Sequence, residues 1–165
     1  MRIRRAECDV YLERLAELME RYGVELDDLS PQADLVLHED DDRRLSFRLS
    51  GILPQGTRRN AARLDVREEL APIGDELYQT TRYAYELIDP ARGYRRAFHL
   101  HDADWFEREL MVVVHEHCER PIGDPDCDHY AGEPLKDGYA GIARLMAISI
   151  AEPPDCRDLK CLDPA

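Results

Sequence analysis

Four histidines stand in two H-x-H pairs near the middle of the chain. The members of the pairs are His99 and His101, and His115 and His117. Because side chains i and i+2 of a β-strand point to the same face of a sheet, each pair places two imidazoles side by side. Imidazole titrates near neutral pH and is the commonest metal ligand in proteins. The pairs therefore indicate either a metal site or a general acid–base site.

The apolar neighbours decide which face of each strand carries these imidazoles. Phe98 and Leu100 share one face of the first predicted strand, and Val112 and Val114 share one face of the second. If both apolar faces line the core and the strands are neighbours, the four imidazoles gather in one patch on the opposite face. However, Val113 lies on the histidine face, which is typical of a strand that is covered on both sides. The two pairs would then face different environments.

Cysteines supply a second candidate metal site. Cys118, Cys127 and His129 bracket one loop, and Cys156 and Cys161 bracket the C-terminal tail. Four thiolates, or three with one imidazole, would close a tetrahedral structural zinc site and would order a loop and tail that have few apolar residues. The spacings C-x8-C and C-x4-C are wider than those of a zinc knuckle, so unlinked, partly buried cysteines remain an alternative. A Cys156–Cys161 disulfide becomes the best interpretation only if the protein is exported.

Other catalytic motifs are absent from the sequence. The run His115-Glu116-His117 is not the zinc-protease motif H-E-x-x-H, since that motif needs histidines one helical turn apart. The chain contains no nucleotide-binding loop of the type G-x-x-x-x-G-K-[ST] or G-x-G-x-x-G and no G-x-S-x-G nucleophile elbow. The candidate chemistry is therefore limited to histidine and thiol groups.

Charge is distributed unevenly along this acidic chain. The formal net charge is −13, which disfavours binding of nucleic acid by charge neutralisation. Residues 1–100 carry a net charge of −4 and residues 101–165 carry −9, so most excess acid lies beside the histidines and cysteines, where it favours a cation. Residues 43–67 hold seven arginines against one acid. We interpret this strip as solvated strand faces and a loop, with a phosphate-facing surface as the functional alternative.

The hydrophobic pattern predicts one α+β domain around a mostly antiparallel sheet of about six strands, with an N-terminal and a C-terminal helix. The first helix is expected at 9–22, between Asp9 and Gly23, and the last after Asp137. The predicted strands are 35–38, 45–50, 62–67, 77–89, 94–101 and 110–119. Residues 1–152 form the domain and residues 153–165 form a cysteine-bearing tail.

Residues 83–117 resemble small bacterial toxins of the TumE type. The similarity lies in a Tyr-rich strand, Tyr83 to Asp89, followed by a strand with Arg and His and then the pair at 115–117. It covers about a fifth of the chain. The resemblance implies a toxin-like module that acts on RNA or nucleotides, and the residues nearest the matching positions are Arg96, His99, His101 and Asp102.

Two functional hypotheses follow from these patterns. The first is a small zinc-binding domain of binding or regulatory type, whose partner is a protein or a small molecule. The second is a histidine-based phosphodiesterase or RNase, in which imidazoles act as general acid and base and an arginine steadies phosphate charge. Its candidate catalytic residues are His99, His101, His115 and His117, with Arg96 or Arg95. We expect a cytoplasmic protein, because the chain shows no export signal and no apolar run of ~20 residues.

Overall fold

The computed structural model describes residues 1–27, 37–54, 61–101, 114–119, 121–122, 130–131 and 134–150. These residues form nine β-strands and two α-helices. In chain order the elements are β1 (Arg2–Arg4), α1 (Arg5–Arg21), β2 (Glu25–Leu26), β3 (His38–Glu39), β4 (Leu45–Leu53), β5 (Ala62–Pro72), β6 (Leu77–Asp89), β7 (Tyr94–Leu100), β8 (Val114–Glu119), β9 (Tyr130–Ala131) and α2 (Gly138–Ile150).

The strands form one antiparallel sheet. Its order is β2-β4-β5-β6-β7-β8-β9, with β1 paired to β6 and β3 paired to β4. The predicted fold class is confirmed: the domain is α+β, with a mostly antiparallel sheet and a helix near each end. The six predicted strands correspond to β3 through β8, as far as their residues are described. The sequence did not reveal β1, β2 and β9, because two or three residues are too few to show an alternating pattern.

Both helices pack on the same face of the sheet. Tyr11 of α1 contacts Phe47 of β4, with ring centroids 6.1 Å apart. On α2, Gly141 lies so close to the ring of Tyr85 in β6 that a Cβ at this position would overlap the ring. The buried apolar side chains of the central strands, such as Leu64, fill the space below the helices. The opposite face of the sheet is therefore left for polar side chains.

The ends of the helices differ in how well they were predicted. α1 begins at Arg5, before the expected Asp9, because the backbone N–H of Arg4 donates to the Glu7 carboxylate (3.3 Å) and so satisfies one donor of the first turn. The helix ends at Arg21, and Gly23 follows it with a φ of +78°, as expected for the glycine after a helix. Asp137 caps α2 as predicted, by accepting a hydrogen bond from the N–H of Ala140 (3.0 Å).

Neither described helix has the length and apolar character needed to cross a membrane. The predicted tail, residues 153–165, lies outside the described residues.

Candidate metal centre

The register of β7 and β8 brings the two H-x-H pairs together. The strands are antiparallel neighbours, and His99 lies directly opposite His115. His101 and His117 follow on the same face as these two, opposite the face of Phe98, because side chains alternate along each strand. Ring centroids are 4.6 Å apart for His99 and His117 and 4.9 Å apart for His101 and His115. The expectation that all four imidazoles gather in one patch is confirmed.

Three of the four imidazoles are placed to hold a metal ion. His99, His101 and His115 each offer one ring nitrogen, and these nitrogens all lie within 4.8 Å of one another. The distance from Nδ1 of His99 to Nε2 of His115 is 3.3 Å. Two ligands that are each about 2.0–2.1 Å from a tetrahedral ion are themselves about 3.3–3.4 Å apart. His99 and His115 are buried and His101 is half-buried, so the triad keeps one accessible side.

Glu86 on the neighbouring strand contacts the first histidine of the triad. Its Oε1 is 2.9 Å from Nε2 of His99 and 3.1 Å from Nη2 of Arg95. The hydrogen bond from His99, together with the charge of Arg95, outweighs burial and lowers the pKa of Glu86 to about 2. An ionised carboxylate accepts hydrogen bonds only, so Nε2 of His99 carries a proton and donates it to Glu86, and Nδ1 is the ring nitrogen that faces His115. A carboxylate behind an imidazole is the usual support of a metal-ligating histidine.

His117 lies beside this triad. Its Nε2 is 3.0 Å from Nε2 of His115, and its Nδ1 is 3.5 Å from Nη1 of Arg95 and 3.8 Å from a carboxylate oxygen of Glu119. Arg95 also forms an ion pair with Glu119. The net charge of the group Arg95, Glu86 and Glu119 is −1, which suits a bound cation.

Arg96 lies on the helix-covered face of the sheet. Its side chain is buried, forms an ion pair with Glu116 and lies 5.1 Å from the ring centroid of Phe98. Arg144 of α2 approaches the same Glu116 carboxylate at 3.2 Å. Of the two arginines named from the sequence, Arg95 therefore lies at the histidine patch and Arg96 lies across the sheet from it.

The predicted thiol site is only partly within the described residues. Cys118 is paired with Arg96 in the register of β7 and β8 and is fully buried, so it shares the helix-covered face and points away from the imidazoles. The other four predicted ligands lie outside the described residues: Cys127, His129, Cys156 and Cys161. Asp102 and Val113 lie outside them as well. A zinc site made of these thiols stays a prediction.

Glu86 was not found from the sequence, although a signal for it existed. The turn at 89–93 predicts that 77–89 and 94–101 form a hairpin, and the observed pairs Glu86–Ala97 and Ala84–His99 follow from that hairpin. Glu86 is then a diagonal neighbour of both Arg95 and His99. Counting back from the turn would have identified this residue as the carboxylate partner.

Comparisons of the chain with protein-family models, with curated proteins and with solved structures found no match. What the structure establishes is an α+β domain whose sheet carries a three-histidine cluster that is placed to hold a metal ion.

Proposed function

We propose that this protein is a zinc-binding domain of binding or regulatory type, in which His99, His101 and His115 hold the ion. The observation that carries the proposal is the convergence of their three ring nitrogens within 4.8 Å. Imidazole suits zinc and other late transition metals, whereas magnesium and calcium prefer oxygen ligands. Three protein ligands leave the fourth position of a tetrahedral ion open. A donor atom from a small molecule or from a partner protein would complete it.

The experiment that tests this proposal must separate imidazole ligands from thiol ligands. The protein is purified without chelator, its zinc content is measured, and the zinc is then replaced by cobalt(II). We expect one metal ion per chain and a cobalt spectrum without the strong near-ultraviolet band that thiolate ligands produce. A metal-free protein, or a spectrum dominated by that band, would count against the histidine site, and the second result would favour the cysteines.

Glu86→Gln is expected to weaken zinc binding about 10- to 100-fold without abolishing it. The carboxamide keeps the size of the side chain but removes the charge that fixes the ring proton of His99 on Nε2 (2.9 Å from Glu86). The measurement is zinc affinity in competition with a chromophoric chelator. Glu69→Gln is the matched control, because Glu69 lies on the same face of the sheet and contacts Arg82 rather than an imidazole. Equal affinities for the Glu86 variant and the wild type would contradict the orienting role.

A histidine-based phosphodiesterase or RNase is the second candidate function. It is favoured by the position of His117, whose buried ring contacts both His115 and Arg95, and it agrees with the implication of the TumE-type resemblance. In this function His117 would transfer a proton and Arg95 would steady phosphate charge.

His117→Ala separates the two candidates. For an RNase we expect RNA cleavage to fall by about 10²- to 10⁴-fold, because a proton-transfer group has been removed. Zinc binding should remain, since the triad lacks His117. Cleavage of a labelled RNA and zinc content are measured on the same preparation. If the wild type does not cleave RNA, or if the variant cleaves as fast as the wild type, the enzyme candidate fails.

A further inference from the structure

A hollow lies beside the candidate metal centre. Its volume is about 210 Å³, and its lining includes Arg67, Glu69, Arg82, Ala84 and His101. His101 thus belongs both to the metal triad and to the wall of the hollow. A ligand in the hollow would lie next to the accessible side of the metal centre.

The strand register explains why a hollow forms here. One row of paired residues crosses the sheet from β4 to β8, and its members are Arg48, Arg67, Ala84, His99 and His115. Ala84 contributes only a methyl group, whereas its neighbours on both sides carry long or ring side chains. Since adjacent strands are about 4.8 Å apart, Arg67 and His99 stand roughly 10 Å apart with the methyl group between them.

Two guanidinium groups at this hollow retain hydrogen-bonding capacity. Arg67 uses Nε and Nη2 on Asp65, and Arg82 uses Nη1 on Glu69 at 3.4 Å. Within the described ranges, Nη1 of Arg67 and both Nε and Nη2 of Arg82 have no hydrogen-bond partner. About half of each side chain is exposed. Both groups can therefore turn N–H donors toward a ligand.

We propose that this hollow binds a phosphate group, with Arg67 and Arg82 donating hydrogen bonds to its oxygens. Guanidinium groups donate paired hydrogen bonds to phosphate oxygens, and a phosphate group offers up to four oxygens to two arginines that reach it from neighbouring strands. The volume is below the ~300 Å³ of a typical ligand pocket, so the hollow receives the phosphate end of a small compound rather than a whole nucleotide. The proposal deepens the proposed function by naming the ligand class, and it rests on that function only for the ligand's role beside the metal.

Titration of the full chain with inorganic phosphate, followed by calorimetry at constant ionic strength, tests the proposal. We expect saturable binding that is stronger than binding of acetate and that weakens about tenfold or more in Arg67→Gln and in Arg82→Gln. Arg48→Gln is the matched control, because Arg48 stands in the same row and contacts the same Asp65 but does not line the hollow. Ala84→Val narrows the hollow without changing charge and should also weaken binding.

Several results would contradict phosphate binding at this hollow. The proposal is overturned if phosphate fails to saturate the protein, if acetate binds equally well, or if Arg48→Gln weakens binding as much as Arg67→Gln does. It is also overturned if Ala84→Val binds phosphate normally. Titrations of chelator-treated and zinc-loaded protein distinguish a failure of the phosphate site from a failure of the zinc site. Zinc binding without phosphate binding overturns this inference alone, whereas arginine-dependent phosphate binding in a protein that takes up no zinc overturns the proposed function alone.

Discussion

Replacing His115 by alanine is expected to remove zinc from the protein. His115 is the central member of the histidine triad: its Nε2 is 3.3 Å from Nδ1 of His99, and its ring is stacked on that of His101 with centroids 4.9 Å apart. Loss of a supporting residue behind a ligand already costs about 10- to 100-fold in metal affinity, so the loss of the ligand itself should cost more than about 100-fold. Zinc content after gel filtration and the affinity from chelator competition measure the effect.

His38→Ala is the matched control for this variant. His38 lies exposed on β3 and is not part of the triad, so the same chemical change should leave one zinc ion per chain. A second readout is thermal stability, because a ligand that binds only the folded state stabilises it by about 2.7 kcal/mol at a hundredfold excess over its dissociation constant. Zinc should raise the melting temperature of the wild type and of His38→Ala but not that of His115→Ala. If His115→Ala keeps its zinc, the ion is bound elsewhere, and the predicted thiols become the first candidates.

The period-two spacing of the histidines was enough to predict the patch but not the triad. Spacing alone places His99 with His101 and His115 with His117. Only the register of β7 and β8 sets His99 opposite His115 and leaves His117 beside the cluster. Register between strands that are distant in the chain depends on the packing of the whole sheet, so a single sequence does not determine it.

For the arginine strip, residues 43–67, the sequence likewise predicts the pattern of exposed side chains but not their contacts. Its interpretation as solvated strand faces agrees with the structure where the strip is described, because Arg48 and Arg67 share Asp65, and Arg63 forms an ion pair with Asp27. Ala84 opens the hollow that gives Arg67 a further candidate role, and nothing in the strip itself points to that residue.

The sequence is sufficient to place Glu68 on one face of the sheet, but it does not predict the environment of the Glu68 side chain. Glu68 directly follows the arginine-rich residues 43–67 in the chain, yet the alternation of Leu64, Val66, Glu68 and Leu70 puts it on the helix-covered face. It is 1% exposed. Its Oε1 accepts hydrogen bonds from the hydroxyl groups of Tyr11 (2.6 Å) and Tyr85 (2.7 Å). Among the residues that the structure describes, Oε2 has no hydrogen-bond partner.

This environment makes the stability of the fold depend on pH. Burial raises the pKa of Glu68 to about 7, since it disfavours the carboxylate by more than the two tyrosine hydrogen bonds favour it. The charge of Asp137 raises the pKa further, and the N-terminal ammonium group lowers it. Between the unfolded value of 4.5 and the folded value of about 7, the native state binds more protons than the unfolded state. The contribution of Glu68 is therefore fully present below the unfolded pKa and is lost as the pH rises through the folded pKa.

We expect the free energy of unfolding to fall by on the order of 2 to 3 kcal/mol from about pH 5 to about pH 8, beyond any change seen in Glu68→Gln. The amide keeps an oxygen for the hydroxyl groups of Tyr11 and Tyr85 but does not titrate, so subtracting its profile removes the contributions of all other groups. Urea unfolding with chelator present, which prevents metal binding from adding its own pH dependence, measures both profiles. Glu69→Gln changes the next carboxylate on the opposite, half-exposed face and should follow the wild type. Parallel profiles for the wild type and Glu68→Gln would contradict the raised pKa of Glu68, because they would show that this residue titrates alike in the folded and unfolded states.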